Sequence, residues 1–181
     1  MKAVFMGLTA RTTRRLFLVV GAGLAGVVGA FFAGARINTT ASIPVGLYWV
    51  SADPVDVGSY VLFCPPLRPE FNEARRRNYI GSGACPGGYG YLMKRVLAAK
   101  GDRVSMRMDG VRVNGRVLPF SASKPADGGG RLLPRPPVSD FLLGDAEVLL
   151  MAANPKSFDG RYFGPIDRSQ IKTAISPVVT W

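Results

Sequence analysis

Hydrophobic residues form one long unbroken run near the start of the chain, and short alternating runs follow it. From Leu16 to Ala35 no charged or strongly polar side chain occurs. About 20 apolar residues, at a helical rise of about 1.5 Å each, cross a hydrocarbon layer of about 30 Å. The run therefore predicts a membrane-spanning helix, and residues 1–36 are expected to form a cytoplasmic N-terminus with an anchor or signal segment.

Positive charges before the run predict its orientation. They are Lys2, Arg11, Arg14 and Arg15, with no acidic residue among them. Because such residues stay on the cytoplasmic side, residues 37–181 are expected outside the cytoplasm, behind a membrane anchor. A cleaved export signal is the second interpretation, since "TRRLFL" resembles a twin-arginine signal and Ala33–Ala35 resembles a cleavage site.

The rest of the chain alternates between apolar and polar residues over short stretches bounded by turn residues. This pattern is typical of antiparallel strands, and it predicts one mostly β domain over residues 37–181. The dipeptides Asp109-Gly110 and Asn114-Gly115 each predict a type I′ hairpin. The predicted strands lie within residues 46–51, 58–63, 89–99, 102–118, 146–153 and 171–181.

Two segments interrupt this pattern. A Pro/Gly-bounded insertion at about residues 64–88 is expected to carry one short helix around Glu70–Arg77. Its ends hold the two cysteines of the chain, Cys64 and Cys85, which suit one disulfide in an exported domain. Residues 121–140 read as a loop by composition.

Composition excludes several classes of function. The net charge of +11 calls for an anionic neighbour, and the lipid bilayer is expected rather than nucleic acid because no DNA-reading motif accompanies the charge. The sequence contains no Cys/His cluster of the kind that would predict a metal site. Gly21, Gly23 and Gly26 spell a dinucleotide fingerprint, but the first acidic residue after them is Asp53 and no βαβ pattern follows. No cofactor is therefore expected.

The chain contains no histidine, so a serine nucleophile would need another base. Ser42 lies in "NTTASIPVGLYWV", soon after the apolar run. A buried lysine loses its charge more readily and can act as such a base. Lys94 is the best candidate, because on a strand it shares an apolar face with Leu92 and Val96. The alternative is a structural lysine that extends to water.

Four segments occur in the order of the type I signal peptidase boxes, and the chain resembles that family. They are "SIPVGLYWV", "DVGSYVLF", "YLMKRVLAAKGDRV" and "NPKSFDGRYFGPI". The resemblance implies an antiparallel β catalytic domain, with Ser42 as nucleophile and Lys94 as general base. It further implies that Thr40 helps to hold the oxyanion, that Ser157 orients the lysine, and that Asp159 and Arg161 form a bracing ion pair.

The short domain and the cysteine-bearing insertion resemble the conjugative-transfer branch of that family. This resemblance implies a membrane-associated serine endopeptidase that removes leader peptides from exported precursors, most of all pilin-like ones. It also implies a location at a bacterial inner membrane, with residues 37–181 as a periplasmic catalytic domain. Only six residues separate Ala35 from Ser42, a reach of about 20 Å when extended, so a membrane-inserted precursor is the expected partner. The alternative is a non-catalytic, membrane-anchored assembly subunit of a secretion or conjugation apparatus.

Overall fold

The computed structural model describes residues 10–134 and 139–181. Lys2 and residues 135–138 of the predicted loop lie outside the described residues. The chain divides between Arg36 and Ile37 into two units. Each unit is described by itself below.

The first unit contains helix α1, Ala10–Ala33. Residues Arg11–Ala33 are long enough and apolar enough to cross a membrane, and none of this stretch is buried within the protein. The helix therefore presents an apolar surface on every side, which is typical of a segment with a lipid environment. The prediction of an apolar helix in this position is confirmed.

The second unit is mostly β, as predicted. In chain order the elements after α1 are β1 (Ala35–Asn38), β2 (Gly46–Ser51), β3 (Tyr60–Phe63), α2 (Pro69–Arg76), β4 (Ser82–Cys85), β5 (Leu92–Ala98), β6 (Arg103–Arg107), β7 (Gly110–Val113), β8 (Arg116–Val117), β9 (Ser139–Leu142), β10 (Glu147–Met151), α3 (Gly160–Phe163), β11 (Ile166–Asp167) and β12 (Ile171–Thr180). Within the described residues the strands form a seven-stranded sheet, in the order β1-β2-β12-β3-β5-β10-β11, and a four-stranded sheet, in the order β8-β7-β6-β9.

The central strands of the larger sheet carry the main core. β5 pairs antiparallel with both β3 and β10, which places Val61 opposite Lys94 and Leu150 opposite Val96. Val61, Val96 and Leu150 are fully buried, and so is Phe63. Because side chains alternate along a strand, Lys94 shares the buried face of β5 with Val96 while Arg95 is exposed.

The two predicted hairpins form, but only one has the predicted turn. Asn114 and Gly115 both have positive φ, 51° and 81°, as a type I′ turn requires. In the other hairpin Arg107 pairs with Gly110, so Met108 and Asp109 occupy the turn and neither has positive φ. The prediction of a type I′ turn at Asp109-Gly110 is therefore wrong, because strand pairing shifts the turn back by one residue.

The insertion has the predicted helix, since α2 overlaps the expected range closely. Cys64 and Cys85 form a disulfide, with Cα atoms 5.4 Å apart. The predicted loop is shorter than expected, because its last residues begin β9, which pairs with β6. Sequence patterns also missed β1, β4, β11 and α3, each of four residues or fewer.

Candidate active site

Ser42 lies in the turn between β1 and β2, and this turn is organised by the buried side chain of Asn38. The Asn38 amide nitrogen donates to the carbonyl oxygens of Thr40, Ile43 and Pro44, at 2.7, 2.9 and 3.0 Å. This side-chain amide thus gives the carbonyl groups of the turn the hydrogen bonds that a neighbouring strand would otherwise supply. Ser42 is half-buried, and its position depends on this polar anchor at the end of β1.

The hydroxyl groups of Ser42 and Thr40 form a chain of hydrogen bonds that ends at the Asn38 side chain. Thr40 Oγ1 donates to Asn38 Oδ1 at 3.1 Å and lies 2.9 Å from Ser42 Oγ. A threonine hydroxyl has one proton, so with that proton on Asn38 the hydroxyl of Ser42 donates to Thr40. For Thr40 to donate to an oxyanion, its proton must turn away from Asn38 when substrate arrives.

Lys94 is buried on β5, with 3% of its surface exposed. Burial lowers the pKa of Lys94 from 10.5 to about 8, because the ammonium form loses its hydration; Asp159 opposes this effect and Arg161 adds to it. The Lys94 Nζ atom donates to Ser157 Oγ at 2.8 Å. Near neutral pH this amine can therefore lose its proton far more readily than an exposed lysine.

Asp159 and Arg161 form a fully buried ion pair behind Ser157. Arg161 Nε and Nη2 donate to the two carboxylate oxygens of Asp159 at 2.8 and 2.9 Å. The remaining guanidinium protons are directed to the carbonyl oxygens of Phe120, Ala152 and Asn154. Because both charges are paired and hydrogen-bonded, the pair tolerates burial and braces the turn that holds Ser157.

Gly160 separates the two charged residues for a steric reason. A Cβ atom at Gly160 would lie 2.7 Å from the Leu149 side chain and 2.8 Å from the Leu150 carbonyl oxygen. Only glycine therefore lets the Asp159–Arg161 segment pack this closely against β10.

Ser42 and Lys94 line the same cavity, whose volume is about 730 Å³. Thr40 and Ser157 line it as well, whereas Asp159 and Arg161 lie behind its wall. Among the described residues, Ser42 Oγ and Lys94 Nζ hydrogen-bond with Thr40 and Ser157 rather than with each other. Direct proton transfer requires these two atoms to come into hydrogen-bond contact, and catalytic hydrogen bonds often tighten only when substrate is bound.

A second wall of the cavity comes from the insertion and the loop that follows β8. Tyr79, just after α2, hydrogen-bonds through its hydroxyl with the Asp127 carboxylate. Arg77 Nη1 donates to the Leu132 carbonyl oxygen at 2.6 Å. Tyr79 also packs on Phe158, with ring centroids 5.9 Å apart. The insertion thereby holds the loop as a defined wall of the cavity.

Sequence reasoning missed Asn38, Tyr79 and Asp127. Asn38 read as one of several polar residues after the helix, and no local pattern marked it as the anchor of the turn. Tyr79 and Asp127 are 48 residues apart, so no local pattern could relate them. In the described residues no group of three or more histidine, cysteine, aspartate or glutamate side chains could hold a metal ion.

A serine and a buried lysine on one cavity, in a chain without histidine, define the class of site that serine peptidases with a lysine base use. The family model described as "Signal peptidase, peptidase S26" matches residues 10–181. The chain therefore belongs to the signal peptidase S26 family.

Three relatives match over nearly their whole lengths. A "Plasmid transfer protein TraF" of Escherichia coli is 60% identical over 167 residues, covering 90% of this chain and 94% of the relative. A "Probable conjugal transfer protein TraF" of Sinorhizobium fredii is 38% identical over 182 residues, covering 96% and 95%. A "Conjugal transfer protein TraF" of Agrobacterium tumefaciens is 36% identical over 176 residues, covering 94% and 98%.

A solved signal peptidase I from Enterococcus faecalis V583 is also similar. It covers 70% of this chain and 100% of its own length, at 16% identity and a TM-score of 0.38.

Proposed function

We propose that this protein is a membrane-anchored serine endopeptidase that removes leader peptides from exported precursors, and that pilin-like subunits of a conjugation apparatus are its substrates. The observation that carries the proposal is the burial of Lys94, which lowers its pKa to about 8, on the same cavity as Ser42. Membership of the signal peptidase family and the conjugal-transfer names of the relatives support it.

In the proposed mechanism, neutral Lys94 accepts the proton of Ser42 Oγ as that oxygen attacks the scissile carbonyl carbon. The backbone N–H of Ser42, and the hydroxyl of Thr40 once it leaves Asn38, donate to the oxyanion. The lysine ammonium then gives its proton to the departing amine, which leaves an acyl-serine. Water hydrolyses this ester, with Lys94 again acting as base.

Ser157 and the buried ion pair act by positioning. Ser157 holds the Lys94 amine in the cavity, and the Asp159–Arg161 pair holds the turn that carries Ser157. The apolar helix α1 supports cleavage at an inner membrane, with the catalytic unit on the periplasmic side.

The test is maturation of a co-expressed pilin-like precursor by full-length variants. Ser42→Ala and Lys94→Ala are each expected to abolish the mobility shift of the precursor, whereas Lys100→Ala, at an exposed lysine, is expected to leave it unchanged. Normal maturation by the Ser42 or Lys94 variant would contradict the proposed dyad. If the protein is instead an assembly subunit, cells with the Ser42→Ala variant should transfer DNA normally, whereas cells that lack the whole chain should not.

A further inference from the structure

The cavity beside Ser42 is unusually rich in positive charge. Its lining includes Lys94, Lys124 and Lys156, and among the described residues Asp127 is the single acidic side chain in that lining. Lys94 sits at the buried end, while Lys124 and Lys156 are exposed at the surface. The lining therefore stays positive even with Asp127 ionised, and the surroundings of Asp127 decide how far its carboxylate offsets the two exposed lysines.

The ionised carboxylate of Asp127 is already paired within its own loop. Its carboxylate accepts from the Tyr79 hydroxyl, from Arg131 Nε at 2.7 Å, and from the backbone N–H groups of Gly129 and Arg131 at 2.8 and 2.9 Å. These donors hold the pKa of Asp127 well below its usual range, the Tyr79 bond most of all. Asp127 thus stabilises its loop and leaves little negative charge for the cavity.

Lys124 and Lys156 differ from Asp127, because among the described residues neither has an oppositely charged partner. Within the described part of the chain, neither ammonium lies within 4.0 Å of a carboxylate, although other surface cations such as Arg112 and Arg131 do. Their backbones are nevertheless fixed: Lys124 N–H donates to Tyr162 Oη at 3.2 Å, and Lys156 N–H donates to Asn154 Oδ1 at 2.8 Å. Two ammonium groups without a carboxylate partner among the described residues thus extend from fixed backbone positions in the lining of the cavity.

We propose that Lys124 and Lys156 form an anion subsite that receives a carboxylate side chain of the substrate polypeptide close to the bond that is cut. This inference rests on the proposed function and adds a substrate class to it: precursors with a glutamate or aspartate near the cleavage site. A peptide carboxylate is favoured over a lipid headgroup because Lys156 directly precedes Ser157, the residue that holds the Lys94 amine. The ligand must therefore lie inside the cavity that the scissile bond enters.

The first test measures binding without cleavage, with the full-length Ser42→Ala variant in detergent. The probes are fluorescent 12-residue alanine-rich peptides in which one glutamate is moved a position at a time, each paired with its glutamine counterpart. At one position or two adjacent positions, the glutamate peptide is expected to bind about threefold to tenfold more tightly, an advantage that falls as salt rises.

Variants then assign the preference to the two lysines. Adding Lys124→Gln and Lys156→Gln is expected to bring the glutamate-to-glutamine ratio close to one, while Lys172→Gln, at an exposed lysine outside the cavity, keeps it. Lys124→Glu with Lys156→Glu is expected to reverse the preference towards lysine at the same position. That reversal also demonstrates that the variant is folded.

Several results would overturn the subsite. A ratio of one at every position would do so, as would a ratio that survives the double substitution. The subsite would also be overturned if the protein showed no peptide preference but bound vesicles of phosphatidylglycerol and phosphatidylcholine, and if this binding was lost on substitution of Lys124 and Lys156. The two lysines would then contact lipid. The failure of the peptidase proposal looks different: wild-type protein would bind the glutamate peptides selectively and cut none of them.

Discussion

At the scale of single residues, Lys94 is a site where the proposed function opposes stability. Its pKa falls from 10.5 in the unfolded chain to about 8 in the folded protein, so below pH 8 the fold holds a buried charge that water would stabilise better. The unfolded chain binds more protons between these two values, and stability therefore rises with pH across this range. Below pH 8 the shift costs on the order of 3 kcal/mol.

Lys94→Met should therefore stabilise the protein at neutral pH. We expect a gain of about 2 kcal/mol in the free energy of unfolding at pH 7, since the lost bond to Ser157 offsets about 1 kcal/mol of the shift. The gain should shrink as pH rises from 8 towards 10. Urea denaturation of the full chain in detergent, followed by tryptophan fluorescence, measures both.

Lys100→Met is the matched control, because Lys100 lies on the surface and pairs with Asp145. It should change stability by less than about 0.5 kcal/mol at either pH. A Lys94→Met variant that is no more stable than wild type at pH 7, or whose gain does not depend on pH, would contradict the account of this lysine.

The same pKa predicts the pH dependence of activity. A lysine base works only when neutral, so kcat/KM should rise about tenfold per pH unit below pH 8 and level off above it. The measurement uses an internally quenched peptide without ionisable side chains, so that the substrate does not titrate. An activity maximum near pH 5, or a flat profile from pH 6 to 9, would be incompatible with Lys94 as the base.

Sequence patterns identified Ser42 and Lys94 because each departs from its surroundings: one follows a membrane segment, and the other lies on an apolar strand face. Asn38 has no such mark. Its importance comes from three carbonyl oxygens that the turn brings round a single amide, and a turn of that shape is not visible from residue types.

At the scale of elements, the insertion between Cys64 and Cys85 acts as a support for the cavity wall. The disulfide closes it at its ends, and Tyr79 and Arg77 connect it to the loop that contains Asp127 and Leu132. A segment that read only as an interruption of the strand pattern thus determines where one side of the cavity lies.

Tyr79→Phe should loosen that wall without touching the chemistry. The variant keeps the ring contact with Phe158 but removes the hydroxyl bond to Asp127. We expect KM for an internally quenched peptide to rise about threefold to tenfold, the loss of one bond to a charged group, while kcat stays within about twofold and the pH midpoint is unchanged.

The control is Tyr60→Phe, because Tyr60 packs on Tyr48 and does not line the cavity. It should leave both constants unchanged. If Tyr79→Phe lowers kcat by an order of magnitude at unchanged KM, the loop has a role in the chemical step and the positioning account is wrong.

Strands with a longer apolar run were predictable, and very short ones were not. β2, β5 and β10 span 6, 7 and 5 residues and match the expected segments. β4 and β11 span four and two residues, too few for a period to emerge. They exist because another chain segment offers them hydrogen bonds: Tyr89 bridges to β4, and β10 pairs with β11.

At the scale of the whole molecule, the charge distribution and α1 make a prediction about orientation. Positive residues precede the apolar helix, so the catalytic unit should lie on the periplasmic side. Alkaline phosphatase fused after Trp181 should be active. Green fluorescent protein fused at the same position and exported by the same route should not fluoresce. The opposite pair of results would place the catalytic unit in the cytoplasm.

The sequence by itself determined the order of the parts: an apolar helix, a mostly β unit and an insertion bounded by cysteines. It also lacks histidine, which makes lysine the base to expect for the proposed serine nucleophile. These properties are local, since they depend on composition and on the period of side chains along a helix or strand. Only the tertiary structure decided the environment of each group. Burial lowered the pKa of Lys94, Asn38 shaped the turn of Ser42, and Tyr79 with Asp127 completed the cavity, because these effects arise from contacts between segments far apart in the chain.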